Sequence, residues 1–212
     1  MYKNLVGSLA AALLAVGAVV APAQAATVPF FDNFDAGVPG GDPINQVPTN
    51  WTVTDGSVDW IPDNSFGGLR CYGNTGGCVD LDGTTGNAGI ISRGTFSLVA
   101  GQQYLLTAYV SGNQRNSGAD SLTFGFLNGT TQIATSTVAS IVASQPYTLI
   151  SLLFTPSSNV EASIFFEALG GDNIGPILDN VSLTAVPLPA AAWLLLAGLG
   201  GLGLVGRRRK AA

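Results

Sequence analysis

Between residues 26 and 185 hydrophobic and polar positions alternate in short runs, and the runs break off at Gly, Asn, Asp or Pro. Residues 103–110 set Tyr104, Leu106, Ala108 and Val110 against Gln103, Leu105, Thr107 and Tyr109. In 121–127 the apolar side is Leu122, Phe124 and Phe126, facing away from Ser121, Thr123 and Gly125. In 160–168, Val160, Ala162, Ile164, Phe166 and Ala168 share one side, with Glu161, Ser163, Phe165 and Glu167 opposite. A period of two places successive side chains on opposite faces of a pleated strand, so these segments read as sheets with one buried and one wet face. Further strands are expected at 52–54, 58–61, 78–81, 89–98, 131–137, 147–154 and 177–184. Asn128-Gly129 separates two such runs and predicts a hairpin turn. Pro146, Pro156 and Pro176 fall at strand ends, where a missing N–H disturbs no ladder. The pattern predicts an all-β fold, a two-sheet antiparallel sandwich rather than a parallel α/β design.

The two ends follow other rules. Lys3, an apolar run from Leu9 to Val20, and the small-residue site Ala23-Gln24-Ala25 make a secretory signal peptide over residues 1–25. A retained anchor is the weaker reading, because the run is short and closes on Pro22. Residues 190–206 form a second apolar stretch, roughly 26 Å long as a helix, followed by Arg207-Arg208-Arg209-Lys210. A transmembrane helix with its basic end in the cytoplasm is expected there, which leaves residues 26–185 outside.

Charge sharpens this division. Of eight Lys and Arg, only Arg70, Arg93 and Arg115 lie in the middle region, which holds all thirteen acids and no lysine. Such a surface repels phosphate backbones, so nucleic acid is excluded as a partner, whereas divalent cations and neutral glycans remain compatible. The chain has no histidine, which rules out His-dependent triads and the common His-rich metal sites.

Val186-Pro187-Leu188-Pro189-Ala190, the apolar Leu/Gly-rich stretch and the terminal Arg cluster Arg207, Arg208 and Arg209 resemble the VPLPA variant of the PEP-CTERM sorting signal. The commoner form carries Pro-Glu-Pro where this chain has Leu188. The resemblance covers residues 186–212. It implies export across the bacterial inner membrane, transient anchoring, cleavage near residues 187–189 by an exosortase-type processing enzyme, and delivery to the cell envelope or the exterior. Within the middle region, Gly56-Ser57-Val58-Asp59-Trp60-Ile61, Val79-Asp80-Leu81-Asp82-Gly83, Gly89-Ile90-Ile91-Ser92, Gly101-Gln102-Gln103-Tyr104 and Gly175-Pro176-Ile177-Leu178-Asp179-Asn180-Val181-Ser182-Leu183 resemble galactose-binding-like jelly rolls. That resemblance implies a jelly-roll sandwich. It also implies a structural calcium between the opening segment and the last strand, held by Asp179 and by Asp35 of Phe34-Asp35. A turn-capping role for Asp179, accepting backbone N–H bonds, is the alternative.

Cys71 and Cys78 are the only cysteines. Their even number in an oxidising compartment, with a glycine-bearing loop between them, predicts a disulfide. Two free thiols or half of a metal site are the other readings. Sugar recognition asks for flat aromatics beside amides and charged groups. Trp60, Tyr72 and Tyr109, with Trp51 beside them, are candidates for stacking, and Asn113 and Arg115, with Asp59 and Asp120, for polar contacts. An indole, however, is more often core than platform. Catalysis finds little to work with. Glu161 and Glu167 share a strand face about 20 Å apart, too far to cooperate in glycoside hydrolysis, and no Gly-x-Ser-x-Gly elbow occurs. The expectation is a non-enzymatic, exported protein that binds glycan or acts as a scaffold in exopolysaccharide or biofilm. A purely structural or adhesive envelope protein and a carboxylate hydrolase are the alternatives.

Overall fold

The computed structural model describes residues 28, 30–38 and 44–187. The expected signal peptide and transmembrane helix, with Leu188, Pro189 and the Arg cluster, lie outside the described residues. Among the described residues no helix is long and apolar enough to cross a membrane.

The chain runs through β1 (Phe30–Asp32), β2 (Trp51–Thr54), β3 (Asp59–Pro62), β4 (Gly77–Asp80), β5 (Ile90–Leu98), β6 (Tyr104–Ser111), β7 (Asp120–Asn128), β8 (Thr131–Ile141), β9 (Thr148–Phe154), β10 (Val160–Leu169) and β11 (Ile177–Ala185). They form two sheets, and every strand pair is antiparallel. The first sheet has the order β3-β4-β11-β6-β9, with β1 also paired to β11; the second is β2-β5-β10-β7-β8. This is a jelly-roll sandwich.

The alternation read from the sequence is the alternation of the core. Tyr104, Leu106, Ala108 and Val110 of β6 meet Leu122, Phe124 and Phe126 of β7 and Ile164 and Phe166 of β10 in one buried cluster. Phe124 stacks on Phe166 with ring centroids 6.0 Å apart. The turn at the β7–β8 hairpin sits one residue later than Asn128-Gly129, since Asn128 pairs with Thr131 across Gly129 and Thr130. Gly129 carries φ 61° and Thr130 has no positive φ, the order of a II′ turn. Phe165 departs from expectation: on the outward face of β10 it is nonetheless 0% exposed, in register with Ser92 and Gly125 of the flanking strands.

β1 is three residues long, too short to show a period, and only pairing with β11 reveals it. One side of β11 is shared by two strands: β4 pairs with Ile177 and Leu178, and β1 with Val181, Ser182 and Leu183. Between them β11 bulges against β6, where Asp179 pairs with Tyr109 but Ser182 with Thr107. Asn180 sits in the bulge at φ 48°. An inserted residue bends the strand and re-aims its side chains. Asp179 faces outward by alternation with Leu178, and the extra residue after it returns Val181 to the core.

Candidate functional site

The outer face of the first sheet carries a second, small apolar cluster of Ile61, Leu69, Cys71, Cys78 and Ile177. It lies beneath the segment that joins β3 to β4. Cys71 and Cys78 are joined in a disulfide with Cα atoms 5.4 Å apart, as their number predicted. Their Sγ atoms and a carboxylate oxygen of Asp179 lie within 4.8 Å of one another. Oxidation takes away the thiolates that a soft metal would need, so the half-site reading lapses.

The ring closed by the disulfide is held at its Cys71 end. Asp63 Oδ1 accepts from the Cys71 N–H at 2.9 Å and from Arg70 Nε at 3.1 Å, while Arg70 Nη2 lies 3.0 Å from Asp63 Oδ2. Inside the ring, the Tyr72 N–H donates to Asp179 Oδ2 at 2.9 Å. The Tyr72 ring therefore comes to rest on the sheet, stacked on Tyr109 at 4.0 Å between centroids and 27° between planes. Tyr147, at the head of β9, meets its edge at 5.6 Å and 82°.

Tyr72 stands between two depressions. One, of about 540 Å³, is lined by Arg70, Tyr72, Asn74, Gln114, Gln145 and Tyr147 among others. Gln114 fastens its floor: Oε1 accepts from the Arg70 N–H at 3.0 Å, and Nε2 donates to the Arg70 carbonyl at 2.8 Å. The Tyr147 hydroxyl donates to the same carbonyl at 3.1 Å. Burial, then the nearby Asp179 charge, raises the Tyr147 phenol above its ordinary range, so it stays a neutral donor. The second depression, of about 300 Å³, is lined by Phe31, Asn33, Asp35, Tyr72, Thr75 and Asp179 among others. Burial pushes the Asp179 carboxyl up to about 7, and the like charges of Asp35 and Asp32 add to this against the pull of two backbone N–H groups. The second of these N–H groups is that of Asn180, at 2.6 Å from Oδ1. Asp179 thus makes the backbone bonds of a turn cap and also faces acids.

Of the residues singled out for a ligand, the fold brings Tyr72 and Tyr109 together and leaves the rest elsewhere. Trp60 packs against the core, and its Nε1 donates to the Phe34 carbonyl at 2.9 Å. Trp51 is buried, with Nε1 bonded to Asp32 Oδ2 at 2.9 Å. Asn113 is buried, donating to Asp120 Oδ2 at 3.0 Å and accepting from the Arg115 N–H at 3.0 Å. The Arg115 guanidinium is paired with the buried carboxylate of Asp80. Asp59 is buried too, accepting from the Asn45 N–H and the Thr84 hydroxyl. These groups hold loops in place. No local pattern marks Tyr147, Gln114 and Gln145, which come from the β9 start and two turns.

Residues 185–210 match the family described as the PEP-CTERM protein-sorting motif. No curated protein matches the sequence. In fold the chain is similar to a cyclase from Fischerella sp. TAU, with 15% identity, 74% of this chain and 88% of that one covered, and a TM-score of 0.51. It is also similar to the CBM22-1 xylan-binding domain from Paenibacillus barcinonensis Xyn10C, at 16% identity, 75% and 94% coverage and a TM-score of 0.47. A third similar structure is the K1 cleaved adhesin domain of Lys-gingipain from Porphyromonas gingivalis W83, at 14% identity, 76% and 100% coverage and a TM-score of 0.47.

Proposed function

We propose that this chain is an exported, non-catalytic β-sandwich that binds polysaccharide on the outer face of its six-stranded sheet and serves as a scaffold in the extracellular matrix or biofilm. The sorting motif at residues 185–210 supports export, a passage through the inner membrane and handling by an exosortase-type enzyme. One observation carries the binding half: Tyr72 is fixed by the disulfide ring and by Tyr109 as the wall of a depression whose lining also includes Tyr147, the amides of Asn74, Gln114 and Gln145, and Arg70. A sugar offers apolar C–H faces to an aromatic ring and hydroxyls to amides, and this lining supplies both. A structural calcium beside Asp35 and Asp179 belongs to the same proposal. The donor set fits, being all oxygen, and the charges acting on Asp179 are acids. The ion would neutralise these acids and tie the segment after β1 to β11, stiffening the wall behind Tyr72.

Glycan-array and affinity-gel binding of the purified protein test the reading. Tyr72→Ala should weaken retention about 10-fold, the loss expected of one aromatic contact, while Leu153→Ser, elsewhere on the face, should not. Wild-type protein that is retained on no polysaccharide sinks the proposal. A second reading, adhesion to other proteins, draws on Phe31, Leu149 and Leu153, which are 62%, 54% and 55% exposed on the same sheet.

A further inference from the structure

β3 and β9 end the strand order of the first sheet, β2 and β8 that of the second. An edge strand leaves one row of backbone N–H and C=O groups open to another strand, and proteins guard such edges by keeping them short or by placing charges, prolines or bulges there. Three of these four edges are guarded. β2 and β3 have four residues each, and β3 contains Asp59 and Pro62. β8 is long, but its register with β7 shifts twice, and Ser140 near its end takes φ 57°. β9 has none of these devices. Its seven residues, Thr148–Phe154, run in unbroken register with β6 and include no charge and no proline. Among the described residues, β6 is the one strand it pairs with.

The surroundings of β9 are equally free of charge. No Asp, Glu, Lys or Arg occurs from residue 121 to residue 160, and none occurs in β6. The chain between its two apolar ends carries thirteen acids against three arginines, so two copies repel each other through most of their surface. On this flank that repulsion is weakest. The side chains are apolar as well. Leu149 and Leu153 are exposed on the outward face with Ser151 between them, while Ile150, Leu152 and Phe154 pack against the core.

We propose that β9 pairs antiparallel with β9 of a second copy about a two-fold axis through Ser151, joining two six-stranded sheets into one. The strand is matched to itself in that register. Thr148 meets Phe154, Leu149 meets Leu153, Ile150 meets Leu152 and Ser151 meets Ser151, which pairs the whole strand over about 24 Å of ladder. Alternate residues of an antiparallel strand turn their N–H and C=O to the same side. Each of these pairs joins two odd or two even positions, so both members turn those groups the same way. Leu149 and Leu153, exposed in one chain, cover each other across the axis. A two-fold contact uses one patch on both copies and closes on itself, so the assembly stops at a dimer. Charge favours a second copy over a cationic partner, which would find no acid on this strip. The inference does not depend on sugar binding.

Sedimentation equilibrium of the purified protein over a dilution series tests this. The wild type should approach twice the monomer mass and dissociate on dilution. Ser151→Lys and Ser151→Glu each set like charges face to face at the axis and should each weaken the dimer about 10-fold or more. An equal mixture of the two should regain it, because opposite charges then meet. Thr135→Lys, at an exposed position of β8, should dimerise as the wild type does. Ser151→Cys, a near-isosteric change, should cross-link into a covalent dimer under mild oxidation, since directly opposed Cα atoms of an antiparallel pair lie about 5 Å apart. That variant decides if a charge at residue 151 prevents folding. A wild type that stays monomeric at every concentration overturns the inference. So does a Ser151→Lys dimer as tight as the wild type's, a mixture of the charged variants that stays apart, or a Ser151→Cys protein that does not cross-link.

Discussion

Arg115 and Asp80 show how much one buried charge governs in this protein. The Asp80 carboxylate is buried, with the Arg115 guanidinium and the N–H groups of Asp82 and Gly175 around it. Removing one partner of such a pair strands the other in a poor solvent, so Arg115→Ala should cost about 3 kcal/mol in urea denaturation at pH 9, where the Asp80 carboxyl is ionised. The cost should shrink in acid. Burial pushes Asp80 up to about 7 despite its partners, and Asp179 likewise up to about 7. Both folded values lie above the unfolded value of about 4, so between these limits the folded state binds more protons than the unfolded one. Stability therefore falls as pH rises from about 4 to about 7 and levels off above. Thermal melts in chelator should show the metal-free protein more stable at pH 5 than at pH 8. A rise across that range would contradict the assignment.

At the scale of elements, the disulfide ring and the β11 bulge build the groove together. The bulge follows the outward-facing Asp179, whose carboxylate takes the Tyr72 N–H from the ring. The Cys71→Ser/Cys78→Ser pair of substitutions should cost about 2 kcal/mol in denaturant, the loop-closure entropy of so small a ring. It should also reduce polysaccharide retention, because Tyr72 would no longer be presented on Tyr109. Retention unchanged in a destabilised double variant would separate the ring from binding. Strands of seven residues or more, such as β6, β7 and β10, are visible in the alternation because a period needs several repeats to show. The three residues of β1 offer none, and the bulge in β11 breaks the alternation where the site lies.

For the whole molecule, the sorting motif and the acidic sandwich occupy separate stretches of the chain. Mass spectrometry of the native cell-associated protein should find a chain that ends near residue 189, with Cys71 bonded to Cys78. An intact basic C-terminus in that fraction would count against exosortase handling. The sequence by itself determined the all-β class, the antiparallel sandwich, the sorting motif and the disulfide, because periodicity, motif order and an even cysteine number are properties of nearby residues. The tertiary structure decided which aromatic rings reach the surface and which acids meet. Trp60, Asn113 and Arg115 have the chemistry of a sugar site, yet in the fold they bond the Phe34 carbonyl, Asp120 and Asp80. Tyr147 and Gln114 reach the groove from positions 75 and 42 residues beyond Tyr72 in the chain. Whether a polar side chain faces ligand or serves a buried partner depends on what the other sheet edges and turns bring beside it, and no local pattern records that.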